Sequence, residues 1–294
     1  MEAIKNRYEF IVLFDVENGN PNGDPDAANM PRIDPETGLG IVTDVCIKRK
    51  IRNFVDIAKE GEPGYNILIK TDKSLNDKFA QIHIEKNGKT EKDPKTSNDI
   101  NAARAFACEN YYDVRTFGAV MSTGQSPCGI VRGPVQISFA RSIDPIDIQE
   151  FSITRQAITD SAKFAENAAK TGTMTEMGGR KSIVPYGLYR VEGYVSALLA
   201  QKVTGFSEED LELLWTAIIN MFEHDHSAAR GKMGVRKLIV FKHDSVLGNA
   251  PSETLFDKIT ISKKENVDVP RSFKDYEVSI DREMPSGVTL IEKI

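Results

Sequence analysis

The chain has 294 residues, 40% of them hydrophobic and 28% charged, with a formal net charge of −5. That length allows one elaborated domain or two ordinary ones, and the composition supports a packed core and excludes wholesale disorder. The acidic total excludes a generic, evenly basic nucleic-acid binder, so any such binding has to come from local patches.

Tyr8 to Val16 predicts a central strand. Tyr8, Phe10, Val12, Phe14 and Val16 share one face and Ile11 and Leu13 the other, so both faces are apolar. A long stretch rich in Asn, Asp, Gly and Pro follows and reads as a functional loop. A basic helix then starts at Thr43 or Asp44, either of which can cap it, with Ile47, Ile51, Phe54, Val55 and Ala58 as its apolar stripe. Residues 60–130 read as an insertion, with a short strand at Asn66–Lys70, a helix at Ile100–Tyr111 and a polar tip at Asn87–Asp99. Val131–Arg141 is the second core strand, with Val135, Ile137 and Phe139 alternating. Residues 142–182 form a second insertion, and Tyr186–Leu199 a long strand. Ser207 begins a near capping box, and its helix buries Leu211, Leu214, Trp215, Ile218 and Phe222. Val235–Lys242 is the last core strand. The tail holds a short helix near Leu255 and a strand at Tyr276–Ile280.

Without the insertions the order is strand, helix, strand, strand, helix, strand. This predicts an α+β chain on the βαββαβ, ferredoxin-like plan that RNA-recognition-motif domains also use. Fold alone does not fix function.

Four stretches carry candidate chemistry. In the opening loop, Asn18, Asn20, Asn22, Gly23, Asp24 and Asp26 echo the spacing of a calcium-binding loop. However, the last position is Asn29 rather than a bidentate Glu, and a strand rather than a helix precedes the loop. Its turn-forming residues otherwise read as ordinary turns or as amides lining a phosphate path. In the helix, Thr43–Lys59 holds five basic residues (Lys48, Arg49, Lys50, Arg52, Lys59) and two acidic ones (Asp44, Asp56). Such a face is either solvated or, at a helix start that favours anions, a phosphate surface. His226–Lys242 holds five basic residues and no acidic one. Arg230 stands there between small neighbours that permit close approach, and His224 and His226 read as helix-end and turn residues. Met177–Tyr194 brings two glycines with Arg180 and Lys181. Met177 is either a core side chain or a wedge between bases, and Tyr186 and Tyr189 read as core.

No aromatic pattern for stacking bases on a sheet is present. Phosphate-loop, hydrolase, zinc-protease and dinucleotide motifs are also missing. The candidate acids are scattered: Asp15, Asp24, Asp26 and Asp34. Cys46, Cys108 and Cys128 form no CxxC pair, which predicts neither a disulfide framework nor a zinc site and fits a reducing cytoplasm. Lys5 and Arg7 lead straight into the first strand, unlike a signal peptide, and no stretch is apolar enough to span a membrane.

The run NPNGDPDAANMPRIDPETGLGIVTDVCIKRKIRN (Asn20–Asn53) resembles the backbone subunit of type I CRISPR surveillance (Cascade) complexes. It is most similar to the type I-C form of that RAMP-superfamily protein. FGAVMS (Phe117–Ser122), VRGPVQISFARSIDP (Val131–Pro145), MGGRKSIVPYGLY (Met177–Tyr189) and HSAARGKMGVRKLIVF (His226–Phe241) continue the similarity over nearly the whole chain.

The resemblance implies a modified RRM-like palm (7–59, 131–141, 183–243), a finger insertion (60–130), a thumb-like insertion (142–182) and a C-terminal extension (244–294). It implies copies stacked as a helical filament along one CRISPR RNA, each thumb kinking the RNA of the next copy, with the other bases free to pair with target DNA. The implied partners are CRISPR RNA, target DNA, neighbouring copies, the RNA-processing and large subunits, and a separate helicase-nuclease. No membrane, cofactor or resident metal is implied. The implied RNA contacts are the Asn18–Arg32 loop with Asn18, Asn20, Asn22 and Arg32; the helix face of Thr43, Lys48, Arg49 and Arg52; Phe117 and Met121 in the finger turn; Arg132; Met177, Arg180 and Lys181 in the thumb; and Arg230. Sequence would be read by base pairing while the protein holds the guide's backbone. A non-catalytic scaffold is the expected function. The alternative is a metal-dependent endoribonuclease, as in related type III backbone proteins, using Asp24, Asp26 or Asp34.

Overall fold

The computed structural model describes residues 2–155 and 176–294. β1 (Tyr8–Gly19) lies in the middle of an eight-stranded sheet. Its two apolar faces feed two different cores, as a period of two dictates. Phe10, Val12 and Phe14 enter one, and Ile11 and Leu13 the other.

The stretch after β1 is more ordered than a loop. β2 (Gly23–Asp24) pairs with β3 (Met30–Pro31) around one 3-10 turn, and β4 (Leu39–Val42) forms an edge of the main sheet. Thr43 then caps α1 (Asp44–Ala58), its hydroxyl accepting the Cys46 N–H at 3.3 Å. Ile47, Ile51 and Val55 are buried against the sheet, Phe54 packs partly, and Ala58 is exposed.

Next come α2 (Leu75–Asn87), α3 (Ser97–Asn110) and α4 (Tyr112–Phe117), then the ribbon of β5 (Gly118–Met121) and β6 (Gly129–Arg132). They enclose a core of their own, including Leu68, Phe79, Ile82, Ala107, Met121 and Val131. Burial pushes the Cys108 thiol up to about 11 and the Cys128 thiol up to about 12, so both are poor nucleophiles at neutral pH.

β7 (Val135–Ile137), β8 (Ala140–Pro145) and β9 (Gln149–Arg155) all pair with β10 (Glu176–Val195). A reciprocal capping box of Ser207 and Asp210 opens α5 (Glu208–Asn220), and β11 (Lys232–His243) returns beside β1. The tail adds α6 (Ser252–Phe256), the hairpin of β12 (Ile259–Lys263) and β13 (Tyr276–Ile280), and β14 (Val288–Glu292). The sheet runs β14-β11-β1-β10-β8-β4, with β7 also on β10. The inner order β11-β1-β10-β7 is fourth, first, third, second, the ferredoxin-like arrangement the element order predicts.

Helices α1 and α5 cover one face of this sheet. Trp215 of α5 meets the Phe10 ring edge-on at 5.2 Å, a geometry worth roughly 0.5–1.5 kcal/mol beyond burial. The other face is covered by Leu255, Phe256, Ile259 and Tyr276 of the tail. An RNA-recognition-motif domain leaves that face open to stack bases. Here it is core.

Several expectations need correction. Asn66–Lys70 is not a strand: Asn66 makes one isolated bridge to Tyr111, and the following backbone is held by side chains. Val131–Arg141 is broken into parts of three strands. Pro134 lacks an N–H, and a second break at Ser138 shifts the alternation, leaving Phe139 exposed. The strand expected to end at Leu199 stops at Val195, where Ser196 caps a short helical turn. The Met177–Ser182 run, read as the end of the second insertion, is continuous with the core strand β10 and pairs with β9. The bulk of the thumb-like insertion, 156–175, lies outside the described residues. α2, β12 and β14 were not expected.

Where β1 ends, its backbone touches the 229–231 turn. Gly231 has φ +62°, and a Cβ there would overlap the Glu17 and Asn18 carbonyl oxygens. Gly231→Ala should therefore lower stability by roughly 2–5 kcal/mol, combining left-handed strain and overpacking. Gly61→Ala, at φ +76° but facing open space, should cost only about 1–2 kcal/mol. Urea unfolding midpoints distinguish the two; equal losses would mean that the contact is not tight.

Candidate nucleic-acid interface

The opening hairpin is hooked onto the start of α1. Asn22 Oδ1 accepts the Thr43 N–H at 2.9 Å and the Thr43 hydroxyl at 3.0 Å, and the Cys46 thiol reaches the Pro21 carbonyl at 3.6 Å. Asn20 is buried. Its N–H donates to the Ala229 carbonyl at 2.8 Å and its amide nitrogen to the Asn29 carbonyl at 2.7 Å. Asn20 and Asn22 thus turn their amides inward and hold the fold rather than forming an open row. Asn18 is exposed, with φ +52°.

The hairpin's charges are also engaged. Arg32 pairs with Asp24 at 3.3 Å, and Asp24 accepts the Asp26 N–H. Asp34 pairs with Arg141 at 2.9 Å. That guanidinium, with the N–H of Glu36, holds the Asp34 carboxyl below its ordinary range. Asp15 is buried between the Tyr186 hydroxyl at 3.0 Å and Arg236 at 2.9 Å. Among the described residues no group of three or more His, Cys, Asp or Glu is placed to hold a metal ion.

On α1 the cations divide into three kinds. Lys48 pairs with Asp44 at 2.9 Å and Arg52, through Nε, with Asp113 at 2.8 Å, and both lie over the Phe117 ring at 5.7 and 5.3 Å. Their side chains are only 13% and 11% exposed. Arg49 is exposed, with no ion-pair partner among the described residues. Lys50 is buried, ion-paired with Asp225 under the Phe222 ring; burial pulls its pKa down in spite of that partner. The five basic residues of this segment are therefore not one solvated face.

The same division holds for the turn before β11. Arg230 pairs with Asp225 at 2.9 Å, so one carboxylate ties the turn to Lys50 of α1. Lys181 donates to the Ala228 carbonyl, and Arg180 is exposed, 3.7 Å from Glu150. Lys232, Arg236 and Lys237 pair with Glu17, Asp15 and Glu292. One end of the sheet thus gathers Asn18, Asn20, Asn22, Thr43, Lys181 and Arg230. A second group, on the outer side of α1, joins Lys48, Arg52 and Phe117. Arg132 is exposed and shares with Phe117 a shallow groove of about 490 Å³.

Met121 is a correction. It is fully buried in the core of the 68–131 region, while its neighbour Val120 points outward at 68% exposure. Alternation along β5 puts the two on opposite faces, so Met121 faces this core rather than the surface. Met177 has its backbone in β10 opposite Thr154; its side chain lies outside the described residues. Reading the sequence missed Asp113 and Asp225, the two carboxylates that fix this surface. Asp113 carried a signal, being a lone acid inside the apolar run YYDVRTF.

The sequence model of the family described as CRISPR-associated protein Cas7 matches residues 6–281. A protein of Haloferax volcanii named CRISPR-associated protein Cas7 is 25% identical over 263 residues, covering 83% of this chain and 72% of that protein. Among solved structures, a chain of a CRISPR RNA-guided surveillance complex in a pre-nicking state aligns with TM-score 0.48 and 12% identity, over 80% of this chain and 78% of that one. A chain of another CRISPR RNA-guided surveillance complex aligns at 0.45 and 10%, over 80% and 68%.

The two ion pairs on α1 should respond differently to truncation. Arg52→Ala leaves Asp113 buried without its cation and should cost about 3 kcal/mol. Lys48→Ala breaks a helical i,i+4 pair and Arg49→Ala breaks none, so each should cost at most about 0.5 kcal/mol. Equilibrium unfolding of the three variants measures this, and an Arg52→Ala loss no larger than the other two would show that Asp113 needs no cation.

Proposed function

As the chain belongs to the CRISPR-associated Cas7 family, we propose that it is the repeating backbone subunit of a type I surveillance complex, of the I-C form. In this reading it binds CRISPR RNA along its sugar-phosphate backbone and supports recognition of target DNA. The observation that carries the reading is the outer side of α1: Arg49 free in solvent, and Lys48 and Arg52 beside it on Phe117.

The surface suits a backbone rather than a base sequence. Lys48 is held by an i,i+4 pair worth about 0.3–0.5 kcal/mol, so a phosphate can replace Asp44 at little cost. Arg180, Arg132 and Lys232 are exposed cations on other elements, and Arg230 and Lys181 border the same end of the sheet as the Thr43 cap. Residues 7–59, 131–141 and 183–243 would act as the palm, 60–130 as the finger, 142–182 as the thumb and 244–294 as an extension. Neighbouring copies, the large subunit, the RNA-processing subunit and a recruited helicase-nuclease would be its protein partners. The role is a scaffold rather than a nuclease: Asp24 and Asp34 are occupied by Arg32 and Arg141 within their own fold.

Co-expression with its neighbouring genes and purification through this chain should yield nuclease-protected RNA of uniform length. An RNA-free monomer from such a preparation would refute the proposal. With the RNA-bound form in hand, the double variant Lys48→Ala/Arg49→Ala should fold normally. It should also reduce the slope of log affinity against log salt by roughly 0.7 per lost contact for a single strand. Magnesium-dependent cleavage of guide-paired RNA, lost on an Asp26→Ala change, would favour the nuclease alternative instead.

A further inference from the structure

α1 carries a third face besides those toward the sheet and Phe117. Val45, Arg49, Arg52, Asn53 and Asp56 recur at helical spacing and form one wall of a groove of about 300 Å³. The opposite wall is the segment Ile67–Thr71 with Leu75. Val45 on the helix wall and Ile67, Ile69 and Leu75 on the other supply its apolar surface, and Arg49, Arg52, Asn53, Asp56, Lys70 and Thr71 its polar surface. Val45 is 65% exposed, Ile69 and Leu75 are more than two-fifths exposed, and Ile67 is buried.

Two carboxylates tie the walls of the groove together: Asp56 of the helix wall pairs with Lys70 of the other at 2.6 Å, and Asp113 bonds to both walls. Asp113, itself buried, accepts Arg52 Nε at 2.8 Å from the helix wall, and the Leu68 and Ile69 N–H groups at 2.8 and 3.1 Å from the other. Lys78 adds a clamp, donating to the Leu68 and Lys70 carbonyls at 2.7 and 3.0 Å. A segment with no helix or strand of its own is thus pinned at a set distance from α1.

We propose that this groove is a binding site for a single nucleobase of the bound strand. The inference rests on the RNA-binding reading above and adds a base subsite to it. Three features favour a base over an apolar side chain from a protein partner. The volume lies at the lower end of small-ligand clefts, roughly 300–1,000 Å³, which admits one flat ring and its sugar. Asn53 makes no hydrogen bond within the described structure and can both donate to and accept from a base edge. Arg49, equally unpaired, stands at the rim next to the Lys48 and Arg52 side of the helix, where a 5′-phosphate would lie. A protein side chain would leave both groups unmatched. Apolar contacts from Val45, Ile69 and Leu75 with one donor–acceptor amide hold any base, so the site is sequence-tolerant, as a guide of arbitrary sequence needs.

The test uses the RNA-free full chain with AMP as probe and ribose 5-phosphate as control, followed by saturation-transfer NMR. Saturation should appear on the adenine protons, and ribose 5-phosphate should bind at least tenfold more weakly. Val45→Trp fills the groove from an exposed position and should abolish AMP binding with an unchanged melting curve. Asn53→Ala should weaken it about tenfold. Equal binding of ribose 5-phosphate, or AMP binding untouched by Val45→Trp, would overturn the proposal. A Val45→Trp effect on self-association with AMP binding unchanged would also overturn it and assign the groove to protein. Affinity for a single-stranded RNA oligonucleotide is measured in parallel. RNA binding that persists while AMP fails removes only the base site, whereas loss of both removes the backbone reading as well.

Discussion

A strand that is apolar on both faces has to be covered twice. β1 places Phe10, Val12 and Phe14 on one side and Ile11 and Leu13 on the other, and the rest of the molecule follows from meeting both demands. Helices α1 and α5 satisfy the first. The second uses α6 and the β12–β13 hairpin, which close the sheet face that a simple RNA-recognition-motif domain keeps for bases. In the function proposed for the chain, its nucleic-acid surface would then lie elsewhere. What remains is the outer side of α1, the ends of the strands and the elements inserted between them.

The electrostatics of that surface depend on distance in space more than on distance along the chain. In sequence, His226–Lys242 is purely basic. In the fold, four of its cations meet carboxylates outside that run: Asp225 just before the turn and, from remote segments, Glu17 and Asp15 on β1 and Glu292 on β14. The pairs differ in kind. Those in solvent are worth at most about 1 kcal/mol and exchange readily for a phosphate. Those with a buried partner, Arg52 with Asp113 and Lys50 with Asp225, are fixtures of the fold, because leaving a buried charge alone is costly. An acidic protein can therefore present a few usable cations.

This division explains what could be read in the sequence. Periodicity over many residues was legible: β1, the α1 stripe and the ferredoxin-like element order rest on it, and the Ser207 capping box rests on a local motif. The 131–141 run misled because its alternation continues across two breaks of one or two residues, which a pattern count passes over. α2 lacks a continuous apolar stripe, with Phe79, Ile82 and His83 buried but little else. Met121 shows the limit of position-matching, since a motif locates a residue in the chain and not on a face. The Asn-rich opening was legible as special, but the Asn22 amide fastens the hairpin to the α1 cap and the Asn20 amide closes the hairpin on itself.

Asp113 is where these threads meet. It lies at the second position of a short helix inside an insertion, remote from α1 in sequence. Yet its carboxylate receives Arg52 from α1 and the backbone of Leu68 and Ile69. A carboxylate accepting a guanidinium N–H and two amide N–H groups is satisfied while buried. The same bonds fix the inserted region to the helix and restrain Arg52 over Phe117. The orientation of the cationic surface is thus set by this side chain, and the width of the neighbouring groove by it together with the Asp56–Lys70 ion pair. Loosening it would disturb both together, whereas removing an exposed cation such as Arg49 would change charge alone.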